Sequence, residues 1–416
     1  MCIRDSYGSV LEHLLVQNLT SFYEVGEHNH MRLRGADWND ALDMAPERGE
    51  SVAFTAAYAG NLETLAELID SLSKERNLQS VEVAREMEPL FADDKELYDS
   101  IEKKNELLAS YCDSCKHVIS GKKAYLPAGK VAESLRSKAV WLKEHIRKTE
   151  WIKDGEDGWF NSYYDNHGRA VEGLTGSGAR MMLTGQVFAI MSGTAEEKQV
   201  AGIVNSADKY LYKKEAGGYR LNTDFGEVKM DLGRMFGFAY GQKENGAVFS
   251  HMTTMFANAL YKRGFVKEGY KALHTLFRQA SDFEVSRIYP GIPEYFDGKG
   301  RGMYHYLTGA ASWYMMTVIN EMFGVKGHLG ALCLEPRLLA QQFDASGHAR
   351  LNLWFNRRHW NIIYVNPAHK NYGDYRIGDV YLDGEKIAMK GNTAVSADEI
   401  KDMDETLQHE IVVELV

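Results

Sequence analysis

The sequence HMTTMFANALYKRGFVKEGYKALHTLF, residues 251–277, determines the predicted fold class. It contains two apolar stripes at helical spacing, separated by the short turn Arg263-Gly264. The stripes consist of Met252, Met255, Phe256, Ala259 and Leu260, and of Val266, Tyr270, Leu273 and Phe277. Two amphipathic helices joined by such a short turn are typical of antiparallel helix pairs, so the sequence predicts a helical scaffold.

The same periodicity recurs along the chain, behind a candidate N-cap at Asn61 and in two further segments. The apolar positions are Leu62, Leu65, Leu68, Ile69 and Leu72; Val131, Leu135, Leu142 and Ile146; and Trp313, Met316, Ile319 and Phe323. Proline is scarce, at 7 residues, and glycine is plentiful, at 38, which favours long helices joined by Gly-bearing turns. Two long polar and aromatic loops, 158–178 and 288–309, are where a site is usually built on such a scaffold.

The pattern changes after about Gly330, where apolar residues alternate with polar ones. The alternation covers residues 351–355 and 360–364, which predicts a β-hairpin. A second hairpin is predicted at 380–387, around Asp383-Gly384, and a closing strand at 411–413. We therefore predict a mainly α domain at residues 7–330, followed by a small C-terminal β-sandwich at residues 331–416.

Composition limits the class of function. Lys and Arg number 48 against 58 Asp and Glu, a net charge of −10, and the basic residues are scattered, which argues against a nucleic-acid partner. The sequence has no uncharged apolar run near the roughly 18–20 residues of a membrane-spanning helix, so we expect no membrane partner. The 4 cysteines are too few for a disulfide scaffold and suit the reducing cytoplasm.

Residues 1–6, MCIRDS, fit no capping, periodic or targeting pattern. They resemble the translation of a transposon adaptor used in sequencing libraries, so we expect them to be an artefact and exclude them from the fold prediction. On that expectation the natural chain continues upstream, and the absence of a signal peptide says nothing about secretion. The alternative is a genuine, poorly ordered N-terminus.

The first segment that suggests chemistry is GADWND, residues 35–40, with two carboxylates, an indole and an amide in four consecutive positions. A sugar site would use each of them. Trp38 offers a flat apolar face to a pyranose ring, Asn39 and one Asp bind hydroxyls, and the other Asp, kept protonated by burial or neighbours, acts as general acid. The alternative is an Asx-turn and helix cap, because Asp and Asn favour such turns.

Two helix N-termini carry groups that suit an oxyanion. KENGAVFSH, residues 243–251, brings a cation, a carboxylate, an amide and an imidazole to the start of one helix. YLTGAASW, residues 306–313, precedes another, where Thr308 and the backbone at Gly309 can donate to phosphate oxygens. The two could converge on one oxyanion. The alternative makes Thr308 an ordinary N-cap and His251 a satisfied core histidine.

Taken together, the three motifs resemble those of glycoside hydrolase family 94, the inverting β-glycoside phosphorylases that act on cellobiose, chitobiose, laminaribiose and β-1,2-glucooligosaccharides. The resemblance runs from about Arg34 to the end of the chain. It implies that residues 7–330 are the C-terminal part of an (α/α)6 barrel, or α-toroid. It also implies an enzyme whose co-substrate is inorganic phosphate, with no metal and no other cofactor.

The resemblance further implies a role for each motif residue. Asp40 is the implied general acid that protonates the glycosidic oxygen. The implied sugar contacts are Asp37, Trp38, Lys243 and Glu244, and the implied phosphate contacts are His251, Thr308 and the Gly309 backbone. Phosphate attacks the anomeric carbon from the opposite face, so the second carboxylate of an inverting hydrolase is not required as a base. The implied product is an α-sugar 1-phosphate.

Two departures from the family pattern bear on substrate and activity. RIYPGIPEYF, residues 287–296, lacks the Gln that helps cellobiose-type members to hold phosphate; with residues 300–305, it looks closer to the β-1,2-oligoglucan phosphorylases. We therefore favour a β-1,2 linkage over β-1,3 or β-1,4. Family members also place a β-sandwich, a linker and the first barrel helices before the acid, so we expect a truncated fragment that is inactive alone, and a homodimer only for the full-length protein.

Two other functions remain open. An inverting hydrolase on the same barrel would cleave without phosphate and would need a carboxylate base about 6.5–9.5 Å from Asp40. A non-catalytic carbohydrate-binding module of a larger glucan synthase would bind saccharide even after Asp40→Asn. The CxxC pair Cys112 and Cys115 lacks a second pair for zinc and a βαβ context, so we expect two incidental thiols.

Overall fold

The computed structural model describes residues 7–289, 291–305 and 309–416. The expected artefact at residues 1–6 lies outside this range. The α-helices are α1 Val10–Tyr23, α2 Val52–Arg76, α3 Lys95–Asp99, α4 Ile101–Cys115, α5 Ala128–Thr149, α6 Leu183–Met191, α7 Glu197–Tyr210, α8 Ser250–Lys262, α9 Val266–Ser281, α10 Phe283–Ser286, α11 Gly309–Met316 and α12 Ala397–Asp402. A π-helical segment, Thr317–Met322, continues α11.

The strands are short before residue 325 and longer after it. They are β1 Met31–Arg32, β2 Glu50–Ser51, β3 Ser80–Ala84, β4 Lys123–Pro127, β5 Trp151–Asp154, β6 Asp157–Phe160, β7 Tyr163–Tyr164, β8 Gly173–Thr175, β9 Gly178–Arg180, β10 Tyr212–Lys213, β11 Gly218–Tyr219, β12 Val248–Phe249, β13 Tyr295–Phe296, β14 Gly302–Met303, β15 Val325–His328, β16 Ala331–Leu334, β17 His348–Phe355, β18 Arg358–Val365, β19 Ile377–Leu382, β20 Glu385–Ile387, β21 Thr393–Val395 and β22 Gln408–Leu415.

The described residues form two compact units. Unit 1 contains the chain up to Met252 together with Tyr295–Met303, and unit 2 contains Thr253–Glu294 and Tyr304–Val416. This division differs from the predicted boundary between residues 330 and 331, which stays a prediction. In the described part of the chain, none of the helices has the length and apolarity required to span a bilayer.

The long helices of unit 1 bury most of the predicted stripes, but Leu68 of α2, which was predicted in the stripe, is 38% exposed. Leu62, Leu65 and Ile69 of α2 are buried in one core with Leu135 and Leu142 of α5. Burying a side chain of this size contributes about 1.5–3 kcal/mol, so this core stabilises unit 1.

The predicted N-cap at Asn61 is wrong. The N-cap lies ten residues earlier, at Ser51, whose hydroxyl accepts a hydrogen bond from the Phe54 backbone N–H at 2.9 Å. Ala53, Ala56 and Ala59 carry the helix through this segment, and a buried Ala adds little to an apolar stripe although it favours helix strongly.

The pair that starts unit 2 follows the periodicity with one exception. Leu273 and Leu276 of α9 are buried, whereas Phe277, at the end of the predicted stripe, is 54% exposed. Leu276 occupies the buried position at the end of α9 because the buried row of α9 runs through Ala272, Leu273, Leu276 and Ala280, at spacings of three and four residues.

The C-terminal part of unit 2 has two sheets, in strand orders β15-β16-β21 and β17-β18-β22-β19-β20. The alternation at 360–364 places Trp360, Ile362 and Tyr364 on the buried face. The Tyr364 hydroxyl donates to the Phe323 carbonyl at 2.6 Å, which fixes the end of the π-helical segment to β18.

Candidate active site

The first motif lies on the loop that joins β1 to β2, which we call the acid loop, residues 33–49. The Asn39 backbone N–H donates to Asp37 Oδ1 at 2.9 Å, and the Ala41 N–H donates to Asn39 Oδ1 at 3.1 Å. Asn39 is buried, at 2% exposure. The Asx-turn that the sequence allowed is therefore present, and it holds the loop in one conformation.

The Asp37 carboxyl is tied to the start of α2. Ser51, the N-cap of α2, donates its hydroxyl to Asp37 Oδ2 at 2.8 Å. Burial raises the pKa of Asp37 to about 6, although its hydrogen bonds act in the opposite direction. Asp37 is therefore the carboxyl of the motif that burial keeps partly protonated near neutral pH.

Asp40 has the opposite environment. Its side chain is 83% exposed, and its Oδ2 lies 3.6 Å from Arg234 Nη2. Arg234 also donates to the Asp40 carbonyl at 2.9 Å and forms an ion pair with Asp43. Burial would raise the pKa of Asp43, but the hydrogen bonds from Arg234 outweigh it and lower that pKa. Asp40 is thus the open carboxyl of the acid loop, and its main chain is held in place by Arg234.

Trp38 of the first motif contacts two residues of the second motif. Its ring centroid lies 5.6 Å from that of Phe249 and 5.4 Å from that of His251, in edge-on contacts. Phe249 ends β12 and His251 is the second residue of α8, so the strand β12 positions both. Trp38 is half-buried, which leaves part of the indole open to a ligand.

The imidazole of His251 has a lowered pKa because burial disfavours its charged form. At neutral pH it is therefore neutral, with one N–H able to donate. Such a group binds an oxyanion as a hydrogen-bond donor and adds no full positive charge.

Lys243 and Glu244 lie on a tight turn. Lys243 has a φ of +48°, and Gly246 has a φ of +74° with the Tyr240 ring 2.1 Å from where a Cβ would lie, so only glycine fits there. The Asn245 amide donates to the Phe238 carbonyl at 2.8 Å. Asn245 and Gly246 thus fix the turn on which Lys243 and Glu244 lie.

Arg234 is the functional candidate that sequence reasoning missed. Its hydrogen bond to Asp43 is the main reason why its pKa is raised, and the charges of Asp40 and Glu244 act in the same direction. The charges of one carboxylate from the first motif and one from the second therefore both act on the guanidinium. No motif marks Arg234 in the sequence, because it lies 194 residues after Asp40 and the pairing depends on the fold.

A buried polar network supports the two ends of the acid loop. Glu50 accepts hydrogen bonds from the backbone N–H groups of His28 and His30 and from His28 Nδ1, the last at 2.6 Å. His30 Nε2 lies 3.0 Å from Glu150 Oε1. Burial would raise the pKa of Glu150, but the hydrogen bonds, led by that of His30, lower it to about 2. These two histidines therefore help to position β1 and β2.

The predicted phosphate half-site is described only in part. Gly309 begins α11 in unit 2 and is exposed, whereas Thr308 lies outside the described residues. The expected convergence of His251 with Thr308 and Gly309 therefore stays a prediction. Among the described residues, His, Cys, Asp and Glu side chains form no cluster suited to a metal ion, and the thiols of Cys112 and Cys115 are both free.

Comparison with known proteins finds a family model that matches part of this chain. The model of the Glycosyl hydrolase 94 superfamily, catalytic domain, matches residues 127–324. That segment contains the second and third motifs, and the acid loop precedes it.

Three relatives agree with this match. Solabiose phosphorylase of Paenibacillus borealis is 25% identical over 342 residues, 80% of this chain and 37% of the relative. N,N'-diacetylchitobiose phosphorylase of Vibrio proteolyticus is 22% identical over 389 residues, 91% of this chain and 40% of the relative. Cyclic beta-(1,2)-glucan synthase of Rhizobium meliloti is 23% identical over 247 residues, 55% of this chain and 9% of the relative.

The chain spans 37% and 40% of the length of the two phosphorylases, less than half of each. The resemblance carried by the three motifs is confirmed: residues 127–324 match the catalytic-domain model of the glycosyl hydrolase 94 superfamily, and the chain is similar to phosphorylases.

Proposed function

We propose that the protein is an inverting β-glycoside phosphorylase, which cleaves a β-linked gluco-oligosaccharide with phosphate to give α-glucose 1-phosphate and a shortened sugar. The match of residues 127–324 to the family's catalytic domain carries the proposal. The cluster of Trp38, Asp40, Glu244 and His251 in unit 1 supports it, because it supplies an aromatic face, carboxylates and an anion donor together. Since the chain covers less than half of these relatives, the activity of the whole protein is what we propose.

In this proposal Asp40 donates a proton to the glycosidic oxygen as the bond to the anomeric carbon breaks. Its side chain is the open carboxyl of the acid loop, so a sugar bound there meets it directly. Arg234 holds its backbone and keeps its carboxylate on one side of the loop.

Phosphate is the nucleophile and attacks the anomeric carbon from the face opposite the leaving group, which inverts its configuration. His251 donates an N–H to a phosphate oxygen, and the Thr308 hydroxyl with the Gly309 amide at the start of α11 donate to others. A helix N-terminus favours a bound anion through its free N–H groups and its dipole. Because phosphate is already a nucleophile, no carboxylate base is needed, and the proposal includes no metal or other cofactor.

The sugar is held by the Trp38 face, by hydrogen bonds that its hydroxyls donate to Asp37 and Glu244, and by a hydrogen bond from the Lys243 ammonium. We favour a β-1,2 linkage, then β-1,3 or β-1,4, on the resemblance of residues 287–305 to the β-1,2-oligoglucan phosphorylases. We also propose an (α/α)6 barrel for the catalytic domain, a homodimer for the full-length protein, and the cytoplasm, which the 4 cysteines suit.

A second candidate is a domain of a larger glucan synthase. The observation that favours it is the Rhizobium meliloti relative, in which the matched part is 9% of a much longer protein named as a cyclic beta-(1,2)-glucan synthase. In that case the chain binds β-glucan without turning it over.

The test is to incubate the chain with phosphate and, separately, with sophorose, laminaribiose and cellobiose, and to follow the products by phosphorus NMR. Formation of α-glucose 1-phosphate supports the proposal and names the linkage. Release of glucose without phosphate supports an inverting hydrolase instead. Saccharide binding that survives Asp40→Asn, with no turnover of any disaccharide, supports the synthase domain.

A further inference from the structure

The outer face of the sheet β17-β18-β22-β19-β20 in unit 2 carries an exposed tryptophan. Trp354 on β17 is 68% exposed, whereas the other six tryptophans of the chain are half-buried or buried. Trp354 lies on the opposite face from Leu353 and Phe355, because successive side chains of a strand alternate. A fully buried Trp removes about 150–250 Å² from water, so this exposure forgoes a large stabilisation.

The indole is held in a fixed orientation. Trp354 is paired across the hairpin with His359, and the two rings stack with centroids 5.0 Å apart and planes 14° apart. The strand β17 is at the edge of the sheet, so the other side of the indole has no neighbouring strand. One face of the ring is therefore covered and the other is presented to solvent, without the entropy cost of ordering it on binding.

Next to Trp354 on the same face lie four polar side chains, which we call the amide row: Asn352, Asn361, Gln408 and Glu410. The pairing register places Asn352 opposite Asn361 and Asn361 beside Glu410. Gln408 Nε2 donates to Asn352 Oδ1 at 3.0 Å, and Asn361 Nδ2 donates to Glu410 Oε2 at 2.8 Å. Each amide has two N–H donors and a carbonyl acceptor, so these bonds orient the groups and leave hydrogen-bonding capacity over.

The charge and size of this surface select among ligands. The amide row holds one carboxylate and no cation, which disfavours an anion or a nucleic acid. The nearest cation on the same face of β17 is Arg350, which forms an ion pair with Asp344 at 2.6 Å. A protein partner would need about 800 Å² per side, far more than one indole ring offers. Sugar hydroxyls both donate and accept, as the amides do, and a pyranose ring stacks on an indole.

We infer that Trp354 and the amide row form a second saccharide-binding surface, separate from the acid loop, which takes a neutral oligosaccharide chain. The choice of gluco-oligosaccharides as its ligands rests on the proposed function, whereas the surface itself rests on the geometry of unit 2. The role of this surface is to hold an oligosaccharide chain on the protein.

The test uses the full chain labelled with fluorinated tryptophan, in which fluorine NMR gives each indole its own resonance. Trp354→Phe assigns the Trp354 signal and Trp38→Phe assigns that of the acid loop. The probes are β-1,2-, β-1,3- and β-1,4-linked gluco-pentasaccharides at millimolar concentrations, with Asp40→Asn in the background to prevent cleavage. We expect at least one pentasaccharide to shift the Trp354 resonance saturably. Asn352→Ala and Gln408→Ala should each weaken that binding about five-fold, the loss of one hydrogen bond.

The matched control is Tyr125→Ala, which removes an aromatic residue of similar exposure, 66%, from β4 in unit 1 and should leave the titration unchanged. The buried Trp360 resonance reports that each variant is folded. A Trp354 signal unmoved by all three sugars overturns the inference. The inference is also overturned if sedimentation shows that Trp354→Ala converts an oligomer into a monomer, because the surface would then be a contact between copies. Because Trp38 reports the acid loop separately, a shift at Trp354 while the Trp38 resonance stays unmoved supports this inference and contradicts the proposed function alone.

Discussion

The acid loop and a cluster of two lysines are two of the regions of unit 1 in which ionisable side chains have pKa values moved towards neutrality. In the acid loop burial raises the pKa of Asp37 to about 6. In the second region burial lowers the pKa of Lys104 and of Lys138 to about 7. By pKa alone the two regions look equally functional.

They differ in what surrounds the group. Lys104 and Lys138 are fully buried, at 0% exposure, and within the described residues neither has a carboxylate at ion-pair distance. The Lys104 ammonium donates to Asn29 Oδ1 at 2.8 Å and lies 4.0 Å from the Trp141 ring centroid and 4.2 Å from that of Phe22. Its charge is stabilised by π faces and an amide, and the side chain is not exposed to solvent.

The acid loop, in contrast, has one buried carboxyl and one that is exposed to solvent. Asp37 is bound to Ser51, but Asp40 is 83% exposed and Arg234 is 48% exposed. A perturbed pKa therefore indicates a site only where polar groups next to it are open to a ligand. The predictions below test that distinction.

The largest expected effect is on turnover by Asp40→Asn, measured in the protein with its upstream sequence restored, because we expect this chain to be inactive alone. Loss of the general acid should lower the rate of α-glucose 1-phosphate formation about 100- to 10,000-fold. Because the side chain is exposed, the free energy of unfolding should change by less than about 0.5 kcal/mol. Phosphorus NMR and urea denaturation measure the two quantities.

The control is Glu47→Gln, which neutralises another exposed carboxylate of the acid loop and should keep full turnover. If Asp40→Asn kept more than about a tenth of the rate, a general acid role, worth about 100-fold or more, would be excluded. The exposure of Asp40 would then not distinguish a catalytic site from the buried lysine cluster.

The second effect is on stability. Lys104→Met should raise the free energy of unfolding at pH 7 by about 1–3 kcal/mol, because an apolar chain of similar shape no longer carries a charge out of water. Lys103→Met, on the adjacent exposed position of α4, should change it by less than about 0.5 kcal/mol. Turnover should be unchanged in both. A less stable Lys104→Met protein would show that the ammonium is a net stabilising partner of Phe22 and Trp141.

The same cluster predicts a pH dependence. The pKa of each lysine is about 7 in the folded protein and 10.5 as its ordinary value, so between these pH values the unfolded chain binds more protons. The contribution of these lysines to the free energy of unfolding should therefore increase as the pH rises from 7 to about 10. In the double variant Lys104→Met/Lys138→Met this rise should disappear. An unchanged slope would mean that other groups produce it.

The sequence predicted the regular parts of the molecule because they depend on local periodicity. The stripes of α2 and α5 and the alternation of β18 need only neighbouring residues, and the Asx-turn at Asp37 needs only two. Phe277 shows the limit, since Leu276 one position earlier takes the core side of α9.

The parts of the site that the sequence did not reveal depend on contacts between distant residues. Arg234 reaches the Asp40 carbonyl across 194 positions, and Ser51 reaches Asp37 across 14. Arginine and serine are common surface residues, so neither has a signature of its own. Motif resemblance gave Asp37, Asp40, Lys243, Glu244 and His251 their roles, which stay predictions, as do those of Thr308 and Gly309.

The smallest expected effect separates Ser51 from an ordinary helix cap. Ser51→Ala removes both the acceptor for the Phe54 N–H and the donor to Asp37 Oδ2, so it should cost about 1–2 kcal/mol of unfolding free energy. Ser9→Ala at α1 removes only an exposed cap, the acceptor for the Glu12 N–H at 3.0 Å, and should cost about 0.5–1 kcal/mol.

The Ser51 hydrogen bond also lowers the pKa of Asp37 against the effect of burial, so its loss should raise that pKa above about 6. Titration of the Asp37 carboxyl by carbon NMR measures this shift, and Ser9→Ala should leave it unchanged. Equal losses of stability in the two variants, with the Asp37 titration unmoved, would make Ser51 a helix cap only. The pKa of Asp37 would then depend on burial alone, as the pKa values of the two lysines do.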